Sequence, residues 1–320
     1  IMASSNKISI ITAPADVGSV FPGKSRAPAA LQSVGLVNKL TTLGYEVSIH
    51  DALPDGPAGW SESEIGLNGA RNEAAAVAVC HAVKDTITTA LANSSPEEQI
   101  PFQLILGGEC LICPAILSAL THHMPTKRIG LLYVDADCDL TYPNEPGSTG
   151  NIAGMALTHL TLRSGALESM KTFCKPDGSG SVDSSNVVLF GLNSSSPANK
   201  RDHLGYLFNE NYRVFTSSAV ALDATRRAKE ALSWLEERVD YILVHLDVDV
   251  IDPGLFPLGN VPNWTGANFP EIMTALKIFL ASKKALGLTI AEVNPYHDPG
   301  LKMTGRLVDE VVAGLKARLD

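Results

Sequence analysis

The chain has 320 residues, enough for one large α/β domain or two small ones. Hydrophobic residues make up 45% and charged residues 18%, which is typical of a globular protein and excludes a disordered one. The net charge of −9, without a basic patch, argues against nucleic-acid or anionic-membrane partners, and no apolar run is long enough to span a bilayer.

Strand-like and helix-like patterns alternate along the chain. Strands are predicted at residues 8–12, 45–49, 102–106, 129–134, 187–192, 213–216, 241–246 and 286–291. Helices are predicted at residues 27–43, 67–92, 111–124, from 153 onward, and at 219–239, 271–282 and 305–319. This alternation predicts a three-layer, doubly wound α/β fold with a mostly parallel sheet of about eight strands. Because there is no composition shift or internal repeat, we predict a single domain over residues 1–320.

The N-terminal residues lack the basic region and apolar core of a signal peptide, and residues 1–6 are expected to be disordered or a cloning remnant. The five cysteines are odd in number and scattered, at positions 80, 110, 113, 138 and 174. Free thiols and a cytoplasmic location are the expectation.

Two predicted strands end in runs of aspartate. Asp135, Asp137 and Asp139 follow the apolar run 131–134, and Asp247 and Asp249 follow 241–246. If each strand continues, its aspartates share one face. Carboxylates on one face repel each other, and a cation turns that repulsion into coordination. The pattern therefore predicts a metal site.

Two further predicted strands also end in polar groups. Glu109 and Cys110 follow residues 104–108, and Glu292 follows 286–291. In an open α/β sheet, ligands bind at the carboxyl ends of the strands. We therefore expect one acidic pocket, in which about two divalent cations would balance the buried charge.

The motifs at these strand ends, together with one in the loop after residues 135–139, form a recognisable series. In chain order they are residues 107–110 (GGEC), 135–139 (DADCD), 149–154 (TGNIAG), 247–253 (DVDVIDP) and 292–295 (EVNP). This order and spacing resemble the ureohydrolase family, which includes arginase and agmatinase, over nearly the whole chain. The resemblance implies an arginase-like fold and a homo-oligomer, a trimer or hexamer, that acts on a small-molecule substrate.

The resemblance also implies roles for individual residues. It places two metal ions, usually Mn²⁺, between two overlapping sets of ligands. These sets are Cys110, Asp135, Asp139 and Asp247 for one ion, and Asp135, Asp137, Asp247 and Asp249 for the other. A metal-bound hydroxide held by Asp139 would attack a guanidino or amidino carbon that faces Glu292. Thr141 and Asn151 would bind the far end of the substrate.

Three histidines of the family pattern are absent. Cys110 and Asp137 stand at two metal-ligand positions, and Ala153 stands where the family has a histidine beside the substrate. A thiolate shifts metal preference toward Zn²⁺. We therefore predict an atypical member of the family, with His159 or His297 as stand-ins for the missing proton carrier. Divergent chemistry on a specialised metabolite, or a non-enzymatic metal-binding scaffold, is the alternative.

Simpler explanations exist for several of these residues. Residues 135–139 lack the Gly and Glu that an EF-hand calcium loop requires. Cys110 and Cys113 have the spacing of a redox pair, although no second Cys-x-x-Cys exists. His245 either hydrogen-bonds a metal carboxylate or is buried in the core. Glu292 either contacts the substrate or pairs with a basic residue.

Overall fold

A computed structural model of the protein describes residues 6–62, 65–92 and 100–319. Its strands are β1 (Lys7–Ala13), β2 (Glu46–Asp51), β3 (Phe102–Gly107), β4 (Ile129–Val134), β5 (Val187–Leu192), β6 (Arg213–Thr216), β7 (Tyr241–Asp247) and β8 (Ala285–Ala291). The central strands are apolar and buried on both faces, as strands covered by helices on two sides must be.

The eight strands form one sheet in the order β2-β1-β3-β8-β7-β4-β5-β6, and every neighbouring pair is parallel. This confirms the predicted fold class. Because side chains alternate across a strand, successive residues of β3 enter different cores: Leu104 lies in one and Ile105 in the other.

The helices cover the two faces of the sheet. They are α1 (Ala27–Ser33), α2 (Leu36–Thr42), α3 (Glu73–Leu91), α4 (Cys113–His123), α5 (Ala156–Thr161), α6 (Arg201–Asn209), α7 (Ser217–Leu222), α8 (Ala224–Glu236), α9 (Phe269–Ala281) and α10 (Lys302–Leu319). One core takes its helical side chains from α1, α2 and α7–α10, and the other takes them from α3–α6. No helix in the described part of the chain is long and apolar enough to cross a membrane.

Three predicted helices were wrong in extent. The predicted helix 27–43 is two helices, because Gly35 has φ +89° and interrupts the right-handed turn. The predicted helix 219–239 divides at Asp223, whose side chain accepts a hydrogen bond from the Arg226 backbone N–H and so caps α8. The helix predicted from residue 67 begins only at Glu73, since Asn72 has φ +50°. The helix α6 was not predicted.

The central strands β3, β8, β7 and β4 are neighbours in the sheet although they are far apart in the sequence. Their carboxyl ends lie along the same edge, where α/β sheets bind ligands. These four ends carry the polar motifs. Residues 1–6 were predicted to be disordered or a cloning remnant. Residues 1–5 lie outside the described part of the chain.

Candidate metal centre

The carboxyl ends of the four central strands bring acidic groups and a thiol together. Asp247 is the last residue of β7, and Asp135 directly follows β4. One carboxylate oxygen each from Asp135, Asp247 and Asp249 lies within 4.8 Å of the others. Cys110, just beyond β3, places its Sγ 3.0 Å from Asp247 Oδ2.

The aspartates reach the centre through tight turns and not through extended strands. Asp137 N–H donates to Asp135 Oδ1 over 2.6 Å, and Asp249 N–H donates to Asp247 Oδ1 over 2.8 Å. The predicted strand bounds 129–134 are those of β4, so the condition that the strand continues through residue 139 is not met: the Asp137 backbone amide turns back onto the Asp135 carboxylate that follows the strand.

Asp137 and Asp139 lie beside this cluster and line a cavity next to it. Asp137 Oδ1 accepts a hydrogen bond of 2.8 Å from Ser196 Oγ, and Asp139 Oδ2 accepts one from the Tyr133 hydroxyl. Asp139 also has φ +48°, which turns the chain away from the strand direction. Each of these carboxylates keeps a second oxygen for other partners.

The metal-free cluster is electrostatically unfavourable. Burial raises the pKa of Asp135 and of Asp249 well above the ordinary carboxyl value, and the neighbouring carboxylates raise both further. Burial, followed by Glu292, does the same to the pKa of Asp247. Asp135 Oδ2 and Asp249 Oδ1 are buried and have no hydrogen-bond partner among the described residues. Buried, unpaired oxygens of this kind suit a divalent cation, so the donor set fits a metal.

Cys110 has a histidine neighbour that the sequence did not assign to it. His245 Nε2 lies 3.2 Å from Cys110 Sγ, and the imidazole stacks on Tyr133 with 4.8 Å between ring centroids. Burial lowers the pKa of His245 to about 3, so the ring is neutral. The sequence predicted that His245 either hydrogen-bonds a carboxylate or is buried in the core. It is buried, and its described polar contact is the Cys110 thiol.

The adjoining cavity has a volume of about 450 Å³. Its lining includes Asp137, Asp139, Thr141, Asn151, Glu292 and Lys24. All three residues that sequence analysis proposed to contact substrate are therefore on its wall. The exposed apolar side chains of Phe21 and Val261 also line the cavity.

Glu292 is held from two sides. Its Oε1 accepts a hydrogen bond of 2.9 Å from the Cys110 backbone N–H, and its Oε2 accepts one from the Lys24 ammonium. Lys24 Nζ also lies 3.8 Å from Glu109 Oε1. Lys24 was not predicted as a site residue, because it lies in a segment rich in Gly, Pro and Ser that has no hydrophobic periodicity.

The proposed histidine stand-ins lie elsewhere. His159 is buried in α5, where neither ring nitrogen has a hydrogen-bond partner among residues 6–62, 65–92 and 100–319, and burial lowers its pKa to about 4. His297 is exposed and its Nδ1 contacts the Gly259 carbonyl oxygen at 3.0 Å. Of the described residues that line the cavity, none is a histidine. No described residue of the cavity wall therefore supplies the histidine that is missing at Ala153.

Gly108 fixes the strand end that presents Cys110. Its carbonyl oxygen accepts the Glu292 backbone N–H at 2.8 Å, and a Cβ added to it would lie 1.6 Å from the Ala15 carbonyl oxygen. Gly108→Ala is expected to lower the free energy of unfolding by about 3 kcal/mol, because backbone would have to move on both sides. Urea unfolding measures this.

Gly205→Ala is the matched control for Gly108→Ala. Gly205 lies in α6 with open space around its would-be Cβ, so its replacement should leave stability equal or raise it by up to about 1 kcal/mol. Equal stability of the two variants would contradict the importance of the close approach at Gly108.

Among models of known protein families, the one described as the arginase family matches residues 6–316. The chain belongs to the arginase family. This confirms the family that the five sequence motifs indicated.

Individual arginase-family relatives match over nearly the full chain. The arginase of Bacillus caldovelox is 27% identical over 295 residues, covering 91% of this chain and 92% of the relative. The crystal structure of Entamoeba histolytica arginase in complex with L-ornithine has a TM-score of 0.81 at 22% identity, covering 98% and 99% of the two chains. The formimidoylglutamase of Bacillus subtilis has a TM-score of 0.69 at 17% identity, covering 98% and 88%. Structural similarity to these two proteins at such low sequence identity shows a shared fold.

Proposed function

We propose that this arginase-family protein is a metal-dependent hydrolase that cleaves a C–N bond in a small guanidino- or amidino-type substrate. The observation that carries the proposal is the buried cluster of Asp135, Asp247 and Asp249 beside the cavity, in which two carboxylate oxygens have no hydrogen-bond partner in the described part of the chain. Charge of this density is stable in a protein interior when cations bind it.

The proposed ligands form two overlapping sets that share Asp135 and Asp247, and the close approach of these two carboxylates supports the assignment. Cys110 and Asp139 would complete one set, and Asp137 and Asp249 the other. Carboxylates favour Mn²⁺, whereas the Cys110 thiolate favours Zn²⁺. When bound, such a pair would activate water and polarise the substrate.

The remaining site residues would orient the reactants. The Tyr133 hydroxyl fixes one oxygen of Asp139, which leaves the other to hold the attacking water and accept its proton. Thr141 and Asn151, on the cavity wall, are placed to bind the far end of a substrate. Glu292, also on the cavity wall, would face the reacting carbon group.

The experiment is a turnover assay with protein loaded with Mn²⁺ or Zn²⁺ and a panel of small guanidino, amidino and formimino compounds. We expect release of urea, ammonia or an amine from at least one compound, loss of the rate on chelation, and recovery when the metal is restored. Protein that carries stoichiometric metal and yet hydrolyses no compound would contradict hydrolysis and favour the scaffold alternative.

A further inference from the structure

Lys24 is a buried ammonium in the wall of the cavity. Its side chain is 2% exposed, and it contacts Glu292 and, at 3.8 Å, Glu109. Taking an ammonium out of water is unfavourable unless carboxylates surround it. Lys24 is therefore a fixed component of the site and not a surface lysine that points inward by chance.

The loop around Lys24 is fixed by its own contacts. Asp16 Oδ2 accepts hydrogen bonds from the Gly23 backbone N–H at 2.8 Å and from Ser25 Oγ at 3.1 Å, on either side of Lys24. Gly23 has φ +123°, and a Cβ there would lie 2.2 Å from Asn294 Oδ1. The loop therefore holds the ammonium at a defined point.

Lys24 also completes the hydrogen bonding of Glu292. The Glu292 carboxylate accepts from the Cys110 N–H on one oxygen and from Lys24 on the other. Glu109, the second acid near the ammonium, accepts from the Gly18 backbone N–H at 3.1 Å. A guanidinium that approached Glu292 would meet an ammonium already bound there and would have to displace it.

We propose that Lys24 is a specificity residue that occupies the cation position at Glu292, so that the cavity selects a substrate whose reacting C–N group is uncharged. An acylated guanidino group has this chemistry, whereas a free alkylguanidinium does not. This inference rests on the proposed function and narrows its substrate class.

The test measures binding and not turnover. The metal-loaded protein would be titrated with methylguanidinium and with methylurea, its uncharged isostere, by ligand-observed NMR. The wild type should bind methylurea more tightly than methylguanidinium. Lys24→Met should raise the affinity for methylguanidinium by about tenfold or more, because Glu292 loses its internal cation. Lys24→Arg keeps the charge and should retain the wild-type preference.

Two further variants keep this test decisive. Glu292→Gln in the Lys24→Met background should abolish the gained affinity. If Lys24→Met does not fold, the double variant Lys24→Met/Glu109→Gln removes the opposing charge as well and carries the same expectation.

Lys24→Met with unchanged affinity for methylguanidinium, or a wild type that prefers methylguanidinium, would overturn the inference. Because binding is read directly, this failure is distinguishable from an absence of hydrolysis in the turnover assay.

Discussion

Asp247→Asn is expected to lower kcat/KM for hydrolysis of the best substrate by about a thousandfold, with loss of bound metal. Asp247 is the side chain on which the cluster converges, since it contacts Cys110 Sγ at 3.0 Å and accepts the Asp249 N–H at 2.8 Å. An asparagine preserves the shape and the hydrogen bond to Asp249 but removes the charge shared by both proposed ligand sets. Steady-state kinetics and metal content measure the two effects.

Asp252→Asn is the matched control for Asp247→Asn. Asp252 belongs to the same motif, but its Oδ1 accepts the Gly254 backbone N–H at 2.8 Å, away from the cluster, and asparagine can do the same. The control should keep its metal and most of its rate. If the two variants lose activity equally, the assignment of Asp247 as the shared ligand is wrong.

The metal-free protein is expected to lose stability as the pH rises. The folded-state pKa values of Asp135, Asp247 and Asp249 are raised above the ordinary value of 3.8, so the folded protein retains protons that the unfolded chain releases. Stability from such groups is present at low pH and is lost as the pH rises through the raised pKa values. Each carboxyl that keeps its extra proton contributes a slope of about −1.4 kcal/mol per pH unit.

Two buried histidines oppose this trend over part of the range. Burial lowers the pKa of His245 to about 3 and that of His159 to about 4, so their contributions increase stability with pH up to the ordinary value of 6.5 and then stop. Below about pH 6.5 the two histidines therefore offset part of the fall that the carboxyl groups cause.

Urea unfolding at several pH values, with chelator or with saturating Mn²⁺, measures these slopes. Metal-loaded protein should show no such fall, because the cation favours the deprotonated carboxylates. An identical pH dependence of stability with chelator and with Mn²⁺ would contradict the raised pKa values.

The convergence of the acidic strand ends could be predicted from the sequence because it depends on sheet topology. Once the strands before Asp135, Asp247 and Glu292 are parallel neighbours, their carboxyl ends must lie on one edge. The five motifs indicated the family and, through the family resemblance, the proposed ligand sets. The local geometry was less predictable: an alternating Asp pattern looks extended, whereas the turn after Val134 depends on a hydrogen bond to Asp135.

Residues that reach the site from loops or from apolar strands left no such signal. Lys24 arrives from a loop whose conformation depends on Asp16 and on contacts with Asn294, far away in the sequence. Tyr133 reads as one more apolar strand residue, and its hydroxyl bond to Asp139 depends on the turn that follows β4. Tertiary contacts of this kind decide side-chain roles that single-sequence patterns do not encode.

Elemental analysis of natively purified protein, with Asp247→Asn beside it, tests the central claim most directly. A buried cluster of carboxylates and a thiol that evolved to hold cations should carry about two divalent ions per wild-type chain, manganese or zinc, and far fewer in the variant. Wild-type protein that contains no metal, and takes up none when Mn²⁺ or Zn²⁺ is supplied, would contradict a metal centre at these strand ends.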